Sequence, residues 1–272
     1  MITFITAPKP FRGQIELIQR NAIASWLAAV PSAQVILFGD ETGTAAAAAD
    51  LGVDHEPTVH RSPAGTPLLD DIFRAAHDRA RHPILGFVNA DIVFRGDVAA
   101  LRHVPAPFLV VGRSTDVDSL VPLPFDDPDW RSRLAGPGRS RGPFALDFFF
   151  FNHGLFADIP PFAIGRARFD NWLVWKALQA GAAVVDGSAV LDPAHQRHGY
   201  GHLAGGREEA YRGADARRNQ ALAGWWCYLH LHSVFDAQWT LTADGLRPRS
   251  RRFGFLRQLL ARASGRCLQA IC

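Results

Sequence analysis

Short apolar runs alternate with amphipathic stretches over the first ninety residues. Ile2 to Thr6 is apolar and ends at Pro8-Lys9-Pro10, which predicts a strand followed by a loop. From Gln14 to Ala29 the positions Ile15, Ile18, Ala22 and Trp26 fall near one face at helical spacing, and Pro31 closes the element. Gln34 to Phe38 predicts a buried strand, stopped by Gly39-Asp40-Glu41-Thr42-Gly43. Ala45 to Leu51 predicts a second helix, and the stretch near Val53 to Val59 a third strand. Pro67 to Ala80 predicts a helix with Leu68, Ile72, Ala75 and Ala76 inward, and Ile84 to Val88 the next strand. Strands alternating with helices in this way predict a parallel sheet with helices on both faces.

The pattern changes in the middle of the chain. Asp116 to Gly142 is rich in Pro, Gly and Asp and reads as a long loop. Phe144 to Phe151 is strongly apolar and aromatic around Asp147, a carboxylate that must find partners because burying it alone is costly. Phe169 to Gln179 predicts a helix and Ala182 to Val185 a strand. His195-Gln-Arg-His-Gly-Tyr-Gly-His202 contains two glycines and reads as a loop. Between Glu208 and Asp244, Trp225, Trp226 and Trp239 suggest a small helical extension over the edge of the domain. The tail from Arg247 to Arg266 sets seven arginines around Phe253, Phe255, Leu256, Leu259 and Leu260, as a basic amphipathic segment does. The expected division is a main domain over 1–205 and an extension over 206–272.

Composition narrows the class. Of 272 residues, 48% are apolar and 20% charged, so a sizeable core is available and disorder is excluded for most of the chain. The net charge of +3 is too small for an overall nucleic-acid footprint, and no nucleic-acid partner is expected. Cys227, Cys267 and Cys272 are odd in number and lack CxxC spacing, which argues against a disulfide framework or a cysteine zinc site. The first apolar run is too short for a signal peptide, and no window reaches the roughly 18 apolar residues of a membrane span. A soluble, cytoplasmic protein is expected, whose tail suits either peripheral contact with an anionic membrane surface or a solvated terminal helix packed on the domain. Only Lys9 and Lys176 are lysines, and the remaining cations are arginines, which looks like coding bias.

Open parallel sheets bind ligands beyond the carboxyl ends of their strands. Neither GxGxxG nor GxxxxGK[ST] occurs, so a dinucleotide dehydrogenase or P-loop NTPase is disfavoured. Asn89-Ala90-Asp91, after a buried strand, has the spacing of a DxD motif with Asn in the first place, and a carboxylate there suits a hard divalent cation. It equally suits an ordinary turn. His195, His198 and His202 offer imidazoles to a metal or phosphate, or form a solvated loop. Asp170, at a helix start, suits an N-cap or a general base. Asp40 and the loop from Arg61 to Thr66 suit a nucleoside or plain turns.

Taken in order, Thr6-Ala-Pro-Lys-Pro-Phe11, Phe38-Gly-Asp40, Gly65-Thr-Pro67, Asn89-Ala-Asp-Ile92, Phe169-Asp-Asn-Trp172 and His195-Gln-Arg-His198 resemble the GT-A glycosyltransferases, the nucleotide-diphospho-sugar transferase superfamily, over about residues 1–205. The resemblance implies a GT-A, Rossmann-like, mostly parallel α/β sheet. It implies transfer of a sugar from a nucleotide-diphospho-sugar to an acceptor hydroxyl, assisted by Mn²⁺ or Mg²⁺. Position by position, it makes Asp91 and His195 the metal ligands and Asp170 the catalytic base. It gives Thr6, Ala7 and Asp40 to the nucleoside side, sets Asn89 in the place of the motif's first Asp, and gives Gly142 and Asp147 to the sugar and acceptor. Beside the resemblance, the residues themselves offer Arg61 and His198 as further substrate contacts, and Phe148 to Phe151 with Trp172 either as an apolar platform for the acceptor or as core packing. Asn89 and Phe169 stand where many members carry acids. The alternatives are a non-catalytic nucleotide- or glycan-binding relic, a sugar nucleotidyltransferase, whose Gly-rich start is replaced here by Ala7 to Gly13, and a hydrolase built on the histidines.

Overall fold

The computed structural model describes residues 1–118, 121–134, 138–199, 205–229 and 231–249. The first part follows the predicted alternation closely. It runs β1 (Ile2–Thr6), α1 (Gly13–Ala29), β2 (Gln34–Phe38), α2 (Thr44–Leu51), β3 (Asp54–Glu56), α3 (Leu69–Arg79) and β4 (Ile84–Val88). Then come β5 (Ile92–Phe94), β6 (Phe108–Val111), β7 (Thr115–Val117), β8 (Arg139–Ser140), β9 (Phe148–Asn152), α4 (Phe169–Gln179), β10 (Ala183–Asp186), α5 (Ser188–Leu191) and β11 (Pro193–Gln196). Last are α6 (Gly206–Arg212), α7 (Ala214–Leu229), β12 (Trp239–Thr242) and β13 (Gly245–Pro248).

The main sheet has nine strands in the order β13-β12-β10-β6-β9-β4-β1-β2-β3. Its strands are parallel except β9 and β13, each antiparallel to its neighbours. This is the mostly parallel, Rossmann-like α/β architecture that the sequence resemblance implies. Side chains alternate across the sheet, so one apolar run feeds two cores. Phe149 and Phe151 of β9 face one way, into a cluster with Ile72 and Phe73 of α3 and Leu173 of α4. Phe148 and Phe150 face the other way, with Phe4 and with Ala22, Ile23 and Trp26 of α1. All four rings are at most 1% exposed, so the run is core packing and not a platform for an acceptor. Gly86 of β4 sits opposite Phe150, and a Cβ there would run into that ring.

A second sheet, β5-β11-β7-β8, stands apart from the first and carries a small core of Val93, Val117, Leu123, Trp130, Leu134 and Ala194. It corrects the expected long loop over 116–142, which contains part of β7, β8 and a 3₁₀ turn at Trp130–Leu134. β7 and β8 are three and two residues long and largely polar, so they show no alternation in sequence; β7 is held by pairing with β11, and β8 by pairing with β7. It also corrects the histidine segment, whose first residue is on a strand.

The C-terminal part contains the expected helices α6 and α7, and also two strands. β12 joins the main sheet beside β10, and Ala243-Asp244 turns the chain into β13. Arg247 therefore lies in a strand, and Arg249 reaches Asp186 at 2.8 Å. The remainder of the predicted amphipathic tail, with His202, lies outside the described residues. Among the described residues no helix is long and apolar enough to cross a membrane.

Candidate active site

Parallel strands bring their C-terminal ends to one side of the sheet. There β1 runs into Ala7-Pro8-Lys9, β2 into Gly39-Asp40, β4 into Asn89-Ala90-Asp91 and β6 into Gly112-Arg113-Ser114. Because β9 is antiparallel between β4 and β6, its N-terminal end, preceded by Asp147, lies on that same side. Topology thus gathers Lys9, Asn89, Asp91, Ser114 and Asp147.

The turn after β4 leads straight into β5, which leaves the main sheet for the second one. There Ile92 pairs with His195 of β11, and His195 pairs on its other side with Asp116 of β7. The backbone N–H of Gln196 donates to the carbonyl oxygen of Asp91 at 3.0 Å. Gln196 is fully buried and its amide donates to the Ile18 carbonyl at 2.9 Å, locking β11 onto α1. The register therefore sets His195 and His198 against Asp91.

The side chains form a cation pocket. His198 Nε2 lies 2.8 Å and His195 Nε2 3.8 Å from Asp91 Oδ2. Candidate ligand atoms of the three residues all lie within 4.8 Å of one another. His198 Nδ1 faces the Gly199 carbonyl at 2.8 Å. A carbonyl only accepts, so Nδ1 carries a proton and Nε2 is the nitrogen turned to Asp91. His195 Nδ1 likewise faces Asp116 Oδ1 at 2.8 Å, which places a proton on Nδ1 there too. Two imidazole Nε2 atoms and a carboxylate oxygen thus converge, with room between them for a proton, an ammonium or a metal. Asp91 is 9% exposed, and its buried Oδ1 has no hydrogen-bond partner among the described residues. A buried carboxylate oxygen left open is costly without a ligand, so these donors fit a divalent ion. A carboxylate behind a histidine, as Asp116 stands behind His195, is a common support for metal ligands.

Charge around the pocket is shared. Burial alone would raise the Asp91 carboxyl, yet the His198 hydrogen bond and the His195 and Lys9 charges hold it well below the ordinary carboxylate range. Lys9 Nζ lies 3.9 Å from Asp91 Oδ2. Burial lowers the Lys9 ammonium from its ordinary value, partly offset by Asp91 and Asp147.

Asp147 is 7% exposed and finds the partners its sequence context demands. It accepts from Ser114 Oγ at 2.7 Å, Arg141 Nη1 at 2.6 Å and, more weakly, Asn89 Nδ2 at 3.3 Å. Arg141 also approaches Asp116 at 3.7 Å, linking Asp147 to the support of His195. Asn89 thus ties the turn to the carboxylate of Asp147. Asp147→Ala strands these donors and is expected to lower the unfolding free energy by about 3 kcal/mol, checked by urea denaturation.

Asp170 sits in the first turn of α4. Arg168 before it adopts φ 90°, a left-handed conformation that costs a non-glycine residue about 1 kcal/mol and turns the chain into the helix. Asp170 Oδ1 accepts the Asn171 N–H at 2.9 Å, and Asn171 is anchored to the His232 carbonyl at 2.6 Å. Burial lifts the Asp170 carboxyl to about 6 against the Asn171 N–H and Arg168, and the Asp147 charge adds to the rise. A carboxylate so tuned is ionised at neutral pH and more basic than an ordinary one.

The other expected site residues are distributed unevenly. Thr6 is buried at the end of β1, and Ala7 packs against the core beside it. Arg61 bridges Asp40 at 2.5 Å and Glu41 at 2.9 Å, a separate cluster at the end of β2. Gly142 is exposed in the turn before β9, where its carbonyl accepts from Ala145. Trp172, expected on the acceptor side, is 6% exposed and packs on Phe162 and Trp175, because its place on α4 faces the core. Sequence reasoning missed Lys9, Ser114, Asp116 and Arg141. Lys9 had a signal: a lysine between two prolines at a strand end, in a chain whose other cations are nearly all arginine. Asp116, Ser114 and Arg141 had none, since the short strands of the second sheet are invisible in the pattern.

No family model and no curated protein matches the chain. Solved structures resemble it in outline. TarS from S. aureus, in complex with UDP-GlcNAc, is 12% identical with a TM-score of 0.48, over 72% of this chain and 58% of that one. The M. tuberculosis glucosyl-3-phosphoglycerate synthase, with Mg²⁺ and UDP, is 15% identical with a TM-score of 0.40, over 73% of this chain and 72% of that one. A mannosyltransferase from Pyrobaculum calidifontis, with GDP-Man and Mn²⁺, is 14% identical with a TM-score of 0.44, over 72% of this chain and 56% of that one. The chain thus spans 58% of the length of TarS.

Proposed function

We propose that this chain transfers a sugar from a nucleotide-diphospho-sugar to an acceptor hydroxyl. One observation carries the reading. At the C-terminal ends of a mostly parallel sheet, a convergent cation pocket of Asp91, His195 and His198 shares a charged neighbourhood with Asp170, whose basicity is raised to about 6. Splitting two carboxylates in this way, one held ionised and one made more basic, is how a site separates charge stabilisation from proton transfer.

Asp91, His195 and His198 would hold the metal, and two imidazoles favour Mn²⁺ over Mg²⁺. When bound, such an ion neutralises the charge that develops on a departing diphosphate. Asp170 takes the acceptor hydroxyl proton as the acceptor oxygen bonds to the anomeric carbon and the bond from that carbon to the diphosphate breaks. Asp116 holds His195 in the tautomer that keeps Nε2 open, and Asp147 raises the basicity of Asp170 by its charge. The loop of Thr6 and Ala7 and the Asp40–Arg61 pair stand at neighbouring strand ends, where a nucleoside would lie.

The test is thermal stabilisation of the purified protein by UDP, GDP, CDP and TDP and their sugars, with and without Mn²⁺. A nucleotide-selective, Mn²⁺-dependent rise in Tm that vanishes in Asp91→Ala is expected. Tight zinc and no nucleotide response would instead favour a histidine-based hydrolase. Binding without turnover would favour a relic.

A further inference from the structure

Lys9 is the feature that the reading above leaves without a role. Pro8 and Pro10 flank it and restrict the backbone on both sides. Gln19 of α1, 2% exposed, holds both polar groups of its peptide: Lys9 N–H donates to Gln19 Oε1 at 2.6 Å, and Gln19 Nε2 donates to the Lys9 carbonyl at 2.9 Å. A buried amide used wholly to fix one lysine leaves only the four-carbon stem free to move. That stem carries the ammonium to 3.1 Å from His198 Nε2 and 3.9 Å from Asp91 Oδ2.

Because His198 Nδ1 is committed to the Gly199 carbonyl, Nε2 is the only nitrogen it can offer a metal. The ammonium already lies against that nitrogen, which cannot serve both Lys9 and a metal. A divalent ion beside an ammonium at this range also meets strong repulsion in a pocket shielded from water. We propose that Lys9 is an internal competitor for the metal site: its ammonium, held against His198 and Asp91, takes the place of a cation there, and a divalent ion enters only by expelling it. This rests on the metal-holding role given to those residues above. The choice of lysine suits the task, since an ammonium is a compact charge on a flexible stem, whereas a guanidinium is a planar fork.

The experiment is a Mn²⁺ titration followed by electron paramagnetic resonance of the free ion. It uses the full chain, Lys9→Met, Lys9→Arg and Asp91→Ala, each checked by circular dichroism. Lys9→Met is expected to bind Mn²⁺ at least about tenfold more tightly than the unaltered chain. Lys9→Arg keeps the charge and stays weak, and Asp91→Ala loses the ion. Equal or weaker Mn²⁺ binding in Lys9→Met overturns the proposal, as does Mn²⁺ binding that survives Asp91→Ala. Should Lys9→Met not fold, Lys9→Gln replaces it with the same expectation. Repeating the titration with UDP, GDP, CDP and TDP separates the two readings. Tighter Mn²⁺ in Lys9→Met with no nucleotide response upholds the competition and tells against the transferase. Equal Mn²⁺ affinity with a clear nucleotide response does the reverse.

Discussion

Asp170→Asn is expected to abolish turnover and to make the protein more stable at neutral pH. Loss of a general base costs about 10²–10⁴ in kcat, and Asn cannot take the acceptor proton. Stability moves the other way because the folded protein holds this carboxyl at about 6, above its ordinary value of 3.8. An acid whose folded value is raised binds its proton better folded than unfolded, so at pH 7 the ionised form weighs against the fold. A shift of roughly two units corresponds to about 3 kcal/mol, and partial access to water reduces this to about 1–2 kcal/mol. Asn keeps an oxygen that can accept the Asn171 N–H, so little is lost in exchange. The gain is fully present above about pH 6, shrinks as pH falls from 6 towards 4 and is gone only below about pH 3, where the wild-type carboxyl is protonated in both states. Urea unfolding of both proteins at pH 7.5, 6 and 4 measures this directly. An Asn variant less stable than wild type at pH 7.5 would show Asp170 to be a structural cap. Wild-type kcat/KM is expected to fall on the acid side with a midpoint near 6.

Much of the scaffold was legible in the sequence, and the reason is periodicity. β1, β2, β4, α1 and α4 fall where apolar spacing places them, because each buries enough side chains to write its period into the chain. Asp91, His195, His198 and Asp170 stood out as chemistry at element ends; the fold sets candidate ligand atoms of the first three within 4.8 Å of one another, and Asp170 lies in reach of the Asp147 charge. What failed was local and polar. Thr115-Asp116-Val117 and Arg139-Ser140 are strands only because β11 pairs with one of them and the pair extends to the other. No propensity announces them, so the support of His195 by Asp116 was hidden. Of the two roles open to Phe148 to Phe151 in sequence, core packing holds, because a central strand is buried on both faces and shows no polar alternation. Trp172 misled because its neighbour in sequence, Asp170, faces a different environment one helical step away.

Asp91→Asn is expected to have the opposite sign in stability and the same sign in activity, and the contrast is the sharper test of the site. The Asp91 carboxyl is held well below the ordinary range by His198, His195 and Lys9. A depressed folded value contributes stability that is fully present above the ordinary carboxylate range and is lost only as pH falls below it. Removing the charge at pH 7 leaves Lys9 and two imidazoles facing a neutral amide, which costs about 2 kcal/mol or more. Without the carboxylate, Mn²⁺ affinity falls by about 100-fold or more, and added Mn²⁺ no longer raises Tm. Two neighbouring carboxylates would then respond to the same Asp-to-Asn change with opposite shifts in unfolding free energy and a common loss of turnover. An ordinary structural ion pair at Asp91 predicts the stability loss but leaves the Mn²⁺ response intact. A bland turn carboxylate predicts neither. Only a cation site built around Asp91 predicts both, because its Oδ1 is buried with no hydrogen-bond partner among the described residues.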